Sequence, residues 1–525
     1  MFSGTPEETP DHSAATSEKS RFTWKQCLWL CLPALVIGAV IRIWVLSAIP
    51  EGSYSADSAS YFETTRKLLV KHEFIVAHKR RWLYPLVLIP TYFIPPSPVR
   101  VIPVIQHIVG LVTIFGIGWI VGHLTRLRAL WVPAVTVLFA LWPRVLWYEH
   151  EILAEGLFLS AFVLLAALAV PAGALKDRRR LMWFLLAAAL MVSLKPHGRG
   201  IYLAAAVTAV FVAGMPWKWG WKCWAALAVG AVVIETSGSK SQGNWLLLSS
   251  TLPLVQTEGE KWKEYREALK PLVLETRADG PGYAWTQENY KKRLSSSDPS
   301  EVSPAWAALT RDRGRFSDVC GTLSREALLT HPVKFAQFVG LKCLIAIRAE
   351  YARGNFRPEI FWEKQDVIAG EFWKKNALEM RMMYGLDEAG YAALSAEGRT
   401  RQFGAMALLD WVAWNFSVVE ADFDEKTRAF SLKARWMGVL ALLGLAACMT
   451  PRRFGASMIL WLSLGLYCAT VFAVGDRVPR FIHAVEWVNW VLAAIALDVI
   501  LCGAWCAVRR ILPRNSLSPG DSPPA

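Results

Sequence analysis

Long apolar runs separated by short charged turns dominate this chain. The clear runs lie at 27–49, 101–122, 129–147, 151–171, 181–195, 200–216, 219–236, 433–449, 455–475 and 482–507. A membrane-crossing helix needs about 20 mostly apolar residues. The pattern therefore predicts about ten spanning helices, the shorter ones supported by their neighbours. Two further runs are ambiguous. Residues 82–96 are interrupted by Pro85, Pro90, Pro95 and Pro96, and residues 333–349 carry Lys334 and Lys342. Between the two groups of runs lies a polar segment, 237–432, with Trp and Tyr interleaved. It holds helix-like stretches such as Lys261–Leu274 and Pro304–Leu309, divided by the Ser-rich linker 295–300. No internal repeat is visible. The fold class that follows is an α-helical polytopic membrane protein with interfacial helices and a mainly helical outer-face segment.

Composition agrees. The chain has 525 residues, 54% of them hydrophobic, with 26 Trp, outside the range of ordinary soluble domains. A net charge of +14 would suggest nucleic acid in a soluble protein, but here much of it sits in short turns, where it orients the chain. Take the N-terminus, with Arg21 and Lys25, as cytoplasmic and count neither ambiguous run as a span. Every inner turn is then basic: Arg126 and Arg128; Lys176, Arg178, Arg179 and Arg180; Lys218 and Lys222; Arg452 and Arg453; Arg509, Arg510 and Arg514. The two ambiguous runs become helices in the outer interface. Residues 1–20 read as a disordered cytoplasmic tail, 21–236 as an N-terminal membrane module and 237–432 as an outer-face segment including the interfacial helix 333–349. Residues 433–508 supply the last spans and 509–525 a second cytoplasmic tail. The first run lacks a small-residue cleavage site and reads as a retained anchor. The nine Cys show no disulfide framework.

The outer face then collects residues 50–81, Arg144–Glu155, Lys195–Arg199, 237–432 and Gly475–Arg480. Each carries charge with two readings. Asp57, followed by Tyr61 and Glu63, suits a carboxylate general base or a helix N-cap. Glu149, His150, Glu151 and Glu155 could bind a divalent metal or orient a sugar, or stabilise a helix N-terminus. A helix opening there would place Glu151 and Glu155 on one face. Lys195 and Arg199 stand against the positive-inside trend in the tight turn Lys195-Pro196-His197-Gly198-Arg199. Phosphate is their natural partner, and snorkelling to headgroups is the alternative. Arg477 and Arg480 could clamp a phosphate, and Arg80 and Arg81 have the same character. Within the runs, Arg42 reads as snorkelling outward, His107 as a satisfied core histidine and Asp498 as a packing residue.

Together these segments resemble the GT-C superfamily of polyprenyl-phosphate-dependent glycosyltransferases, in its bacterial protein-mannosyltransferase-like and aminoarabinose-transferase-like branch. The resemblance rests on Asp57 with Tyr61, on Arg80-Arg81-Trp82-Leu83-Tyr84-Pro85-Leu86, and on Trp142-Pro143 followed by Leu153-Ala154-Glu155-Gly156. It continues through Leu194-Lys195-Pro196-His197-Gly198, His331-Pro332-Val333-Lys334-Phe335 and Asp476-Arg477-Val478-Pro479-Arg480. It covers the membrane core and is weak across 237–432. Asp57 stands singly where many members have an Asp-Glu pair, and Val478 stands where Tyr is common.

The resemblance implies an inverting transferase in a bacterial inner membrane, passing a sugar from a polyprenyl-phosphate donor to a lipid, glycan or protein acceptor. Asp57 would be the base. Arg80, Arg81, Lys195, Arg199, Arg477 and Arg480 would hold the donor phosphate, Glu151 and Glu155 a sugar or metal, and Tyr61 and His197 would position donor or acceptor. A divalent metal is compatible with the acids, and no other cofactor is assigned. The rival readings are a transporter or flippase, against which the missing repeat argues, and a non-catalytic assembly protein with the same fold.

Overall fold

The computed structural model describes residues 22–75, 81–171, 173–214, 218–236, 240–348, 358–401, 432–450, 453–474 and 479–511. The chain opens with α1 (Trp24–Ala48), α2 (Ala56–Lys71) and the short α3 (Leu83–Leu88). Then come α4 (Pro98–Leu124), α5 (Arg128–Ala140), α6 (Pro143–His150), α7 (Ala154–Ala169), α8 (Arg178–Leu194), α9 (Gly198–Ala213) and α10 (Trp221–Thr236). The polar segment holds α11 (Lys240–Thr251), α12 (Lys263–Asp279), α13 (Tyr283–Ser295), α14 (Pro304–Arg311), α15 (Arg313–Thr330), α16 (Pro332–Arg348), α17 (Pro358–Tyr384) and α18 (Glu388–Thr400). Three helices return to the apolar core: α19 (Leu432–Cys448), α20 (Phe454–Val474) and α21 (Pro479–Ile511).

Every apolar run carries helix, and the molecule is a helical integral membrane protein. Trp24–Ala48, Pro98–Leu124, Phe454–Val471 and His483–Val508 are long and apolar enough to cross a membrane, and α5 with α6 makes a fifth if the pair is one bent span. The helices α7, α8, α9, α10 and α19 have 16 or 17 residues. At about 1.5 Å per residue they fall short of a ~30 Å hydrocarbon core. Among the described residues only four helices, or five with the bent pair, have spanning length, so the expected count of about ten spans is not confirmed.

Proline sets two of the breaks. Pro143 disfavours helix at Trp142, whose backbone is extended, and α5 and α6 meet at 49°. The run 129–147 is thus not one straight helix. Residues 82–96 form only the six-residue α3 and a 3-10 turn at Ile89–Phe93, packed on α2 and α8. The run 333–349 becomes α16, which packs on α19 and α20.

Close helix crossings rest on small residues. A Cβ on Gly200 of α9 would lie 2.6 Å from the Leu466 carbonyl oxygen of α20. At the crossing of α19 and α21, a Cβ on Gly444 would overlap the Leu492 carbonyl.

The bundle has two chemically distinct ends. At one, Asp498 of α21 accepts the backbone N–H groups of Arg126 and Leu127 at 3.0 and 2.9 Å and pairs with Arg453 at 2.8 Å. It ties two of the basic turns together, so its role is structural, as expected. At the other end, residues 50–54 thread between helix ends. Gly52 N–H donates to Val99 O, Ser53 N–H to His150 O and Ile152 N–H to Ser53 O.

Below that thread lies a buried polar chain. Arg42 Nε and Nη2 donate to Glu149 at 2.8 and 2.7 Å. His107 Nδ1 lies 2.9 Å from the same carboxylate, His107 Nε2 lies 3.3 Å from His150 Nδ1, and His150 Nε2 lies 2.9 Å from Glu51 O. Arg42 therefore does not snorkel. A buried cation is tolerated when a carboxylate compensates it inside the same low-dielectric core.

The polar segment contributes two units. One has an apolar core of its own, including Leu248, Leu269, Val273, Tyr283, Trp306 and Leu323. The other, α17 with α18, sits on the thread. The Gln365 side chain accepts from Tyr54 N–H at 2.8 Å and donates to Ser53 Oγ at 3.2 Å, and Arg401 reaches Glu51 at 3.4 Å.

Candidate active site

The helix α2 begins with a complete cap that leaves Asp57 out. Ser55 Oγ accepts from Ser58 N–H, and the Ser58 hydroxyl accepts from Ser55 N–H at 3.0 Å. Asp57, half-buried in the first turn, is not the capping residue, although its charge suits the helix N-terminus. Tyr61 follows one turn later on the same face. Its ring lies 4.8 Å from that of Tyr84, edge to face. Tyr84 is fully buried, and its hydroxyl has no hydrogen-bond partner. Burial, and then the charges of Tyr61, Glu155 and Glu151, push that hydroxyl well above its usual range. Tyr84 thus packs against the helix that carries Asp57.

Glu155 stands in the first turn of α7. Its Oε1 accepts from Lys195 Nζ at 2.7 Å, both side chains being under a tenth exposed. Its Oε2 is buried without a partner. Lys195 directly follows α8, and the turn after it depends on glycine: a Cβ on Gly198 would sit 2.6 Å from the Met191 carbonyl oxygen. The same turn delivers His197, whose ring is 6.4 Å from that of Tyr467, and Arg199. Lys195 is therefore charge-compensated within the protein.

Arg81 is different. It is buried at 3% exposure, and its Nε and Nη1 have no hydrogen-bond partner. Burial, and then repulsion from Arg199, hold its pKa down to about 10. It is still a cation at neutral pH. A buried cation facing a second cation is a costly arrangement that an anion would relieve.

Glu151 does not share a helical face with Glu155. Its backbone is extended, and it pairs with Ser53 through the parallel bridge before α7 starts at Ala154. The break follows from the extended backbone at Glu151 and Leu153. Glu149 and His150 are engaged with Arg42, His107 and Glu51 O. Among the described residues, no group of three or more His, Cys, Asp or Glu is placed to hold a metal. Arg80 and Arg477 lie outside the described residues, as does the side chain of Arg480.

No family model matches the chain, and no curated protein matches it. Among solved structures it is similar to the archaeal oligosaccharyltransferase AglB from Archaeoglobus fulgidus, in complex with an inhibitory peptide and a dolichol-phosphate. The identity is 14% and the TM-score 0.38, over 94% of this chain and 53% of that one. The chain thus spans about half the length of that protein. It is also similar to ArnT from Cupriavidus metallidurans bound to undecaprenyl phosphate, at 14% identity and a TM-score of 0.27, over 95% of this chain and 82% of that one. Each of those two proteins was solved with a polyprenyl phosphate. At this level of likeness neither assigns the chain a family, an activity or a site residue.

Three side chains near the site have no role in the sequence reading. His483 is buried beside Tyr148, their rings 4.4 Å apart. Arg144 pairs with Glu486 at 3.1 Å. Glu379 of α17 is 3% exposed and 3.9 Å from Arg66 of α2. A signal exists for His483, which with Glu486, the partner of Arg144, opens an otherwise apolar run. Nothing local distinguishes Glu379 from other acids of the polar segment.

Proposed function

We propose that this chain is a membrane glycosyltransferase of the GT-C type. It moves a sugar from a polyprenyl-phosphate donor to a lipid, glycan or protein acceptor on the outer face, with inversion. The observation that carries the reading is Arg81. It is a buried guanidinium with unused donors beside Arg199, at the bundle end where Asp57, Glu155 and Lys195 also gather.

The chemistry needs little covalent participation by the protein. Asp57 accepts the proton of the acceptor hydroxyl as its oxygen attacks the anomeric carbon. The bond from that carbon to the phosphate oxygen breaks on the opposite side, and the electron pair leaves with the polyprenyl phosphate. Arg81 and Arg199 hold the charge that develops there, and Arg80, Arg477 and Arg480 are assigned the same task. Glu155, fixed by Lys195, offers Oε2 to a sugar hydroxyl. Tyr61, Glu151 and His197 position the reactants. The apolar strip at 82–96 lies beside the prenyl tail.

The test is incubation of purified protein with a panel of radiolabelled polyprenyl-phosphate sugars and membrane-lipid, glycan and peptide acceptors. Transfer from at least one donor, lost in Arg81→Gln, supports the reading. Transport of such a lipid in vesicles without any transfer would replace it with the flippase.

A further inference from the structure

His483 stands in the second turn of α21 and is 1% exposed, and neither ring nitrogen has a hydrogen-bond partner. Arg144 and Lys195 are the charged groups that act on it. Each is already paired with an acid, Arg144 with Glu486 and Lys195 with Glu155. A buried imidazole without partners is uncommon and asks for an explanation. Glu155 supplies a second such atom, since Oε2 is buried and unpartnered while Oε1 holds Lys195. Deeper in the bundle, Phe162 of α7 and Trp487 of α21 meet at 5.1 Å between ring centres. Both helices run inward from this end, so Glu155 and His483 lie within about one turn of each other in depth.

We infer that His483 and Glu155 Oε2 form a subsite for a neutral, hydroxyl-bearing group: the saccharide of the donor. This rests on the transferase reading above. A neutral imidazole offers one N–H and one lone pair, and the carboxylate oxygen offers lone pairs only. Sugar hydroxyls, which both donate and accept, satisfy that set. A phosphate does not, because it would face the Glu155 carboxylate beside a lysine whose charge is already balanced. The phosphate goes instead to Arg81 and Arg199.

Two probes separate the possibilities: undecaprenyl phosphate without sugar, and the undecaprenyl-phosphate sugars of the panel. Their binding is read by thermal shift in wild type, His483→Phe and His483→Gln. Phe keeps a planar ring and removes both nitrogens. His483→Phe should bind bare undecaprenyl phosphate as wild type does. It should lose about tenfold in affinity for the preferred sugar-bearing donor, the worth of one hydrogen bond. His483→Gln should recover part of the loss. Without ligand, His483→Phe should melt no lower than wild type, since it removes polar atoms that nothing satisfies. Unchanged donor affinity in His483→Phe, or an equal loss for both probes, would overturn the subsite alone. If His483→Phe does not fold, unchanged sugar preference in His483→Ala overturns it equally. Wild type that binds neither probe would overturn the transferase reading and the subsite with it.

Discussion

Lys195 and Glu155 form a buried ion pair, 2.7 Å from Nζ to Oε1, between the end of α8 and the start of α7. Neither residue is near the other in sequence, and neither can lose its partner cheaply. Removing one member of a buried pair typically costs about 3–5 kcal/mol, because the remaining charge is uncompensated. Glu155→Gln and Lys195→Met should therefore each lower the melting temperature sharply. The double variant should lose much less than the sum. Additive losses in thermal unfolding would mean that the two side chains act independently.

Arg81 should behave in the opposite way. Its Nε and Nη1 have no partner, and Arg199 repels it. Arg81→Gln should leave the empty protein as stable or more stable, while weakening binding of undecaprenyl phosphate. A charge-assisted hydrogen bond is worth about 1.5–3 kcal/mol, or roughly 10- to 150-fold in affinity. Arg81→Lys should recover little, since a point charge does not reproduce the guanidinium fork. Thermal-shift titration reads both effects, and wild-type affinity in both variants would remove Arg81 from the phosphate site.

Asp57 and Ser55 should separate chemistry from capping. The cap belongs to Ser55, so Asp57→Asn should keep the fold and lower turnover about 10²- to 10⁴-fold, the usual contribution of a general base. Ser55→Ala should cost about 1 kcal/mol of stability with a far smaller effect on rate. Full turnover in Asp57→Asn would remove the carboxylate from the chemistry.

Glu379 predicts a pH dependence. Burial pushes its carboxyl up to about 7, against the pull of Arg66, with Glu63 adding to the rise and Lys67 and Tyr54 opposing it. A carboxyl raised in the folded state binds its proton more tightly folded than unfolded. Its contribution is complete below the unfolded value near 4.5 and is lost as pH rises through about 7. Stability should fall across that window by up to roughly 3 kcal/mol, at about 1.4 kcal/mol per unit. Glu379→Gln should flatten the fall and melt higher than wild type at pH 8. Parallel melting curves for the two proteins from pH 4.5 to 8 would assign the dependence to other groups.

Orientation is open to direct labelling. With the exposed Cys506 replaced by serine, a cysteine at the exposed Ser297 should react with an impermeant maleimide in intact cells or spheroplasts. A cysteine at the exposed Arg179, in a basic turn, should react only after permeabilisation. The reverse pattern would invert the topology.

Part of the candidate site is legible in the sequence. Asp57, Glu155, Lys195 and Arg199 stand out because charge at the edge of an apolar run is expensive and therefore conspicuous. The packing role of Asp498 is legible too, from its place far along the last run from the proposed outer face. The residues that mislead share a cause. The helix around Arg42 suggests snorkelling, whereas its fate depends on Glu149, 107 positions away. Spacing puts Glu151 on a helix, whereas its extended backbone is paired with Ser53. Pro143 marks the break before α6, but an apolar run continuing to 147 conceals it.

The sequence alone determined the class of molecule, the helical runs and the polar segment between them. These follow from short-range physics: an apolar stretch of sufficient length must be helical in lipid to satisfy its own backbone, and proline and glycine punctuate it. Tertiary structure alone decided which polar groups are spent on each other and which are buried without a hydrogen-bond partner. Arg42 and Lys195 are both compensated, while Arg81 and His483 are buried without hydrogen-bond partners for Nε and Nη1 or for either ring nitrogen. In sequence these four look alike. The difference lies in whether an acceptor from a distant segment reaches the same low-dielectric spot, where an ion pair offsets its own desolvation and a lone cation cannot.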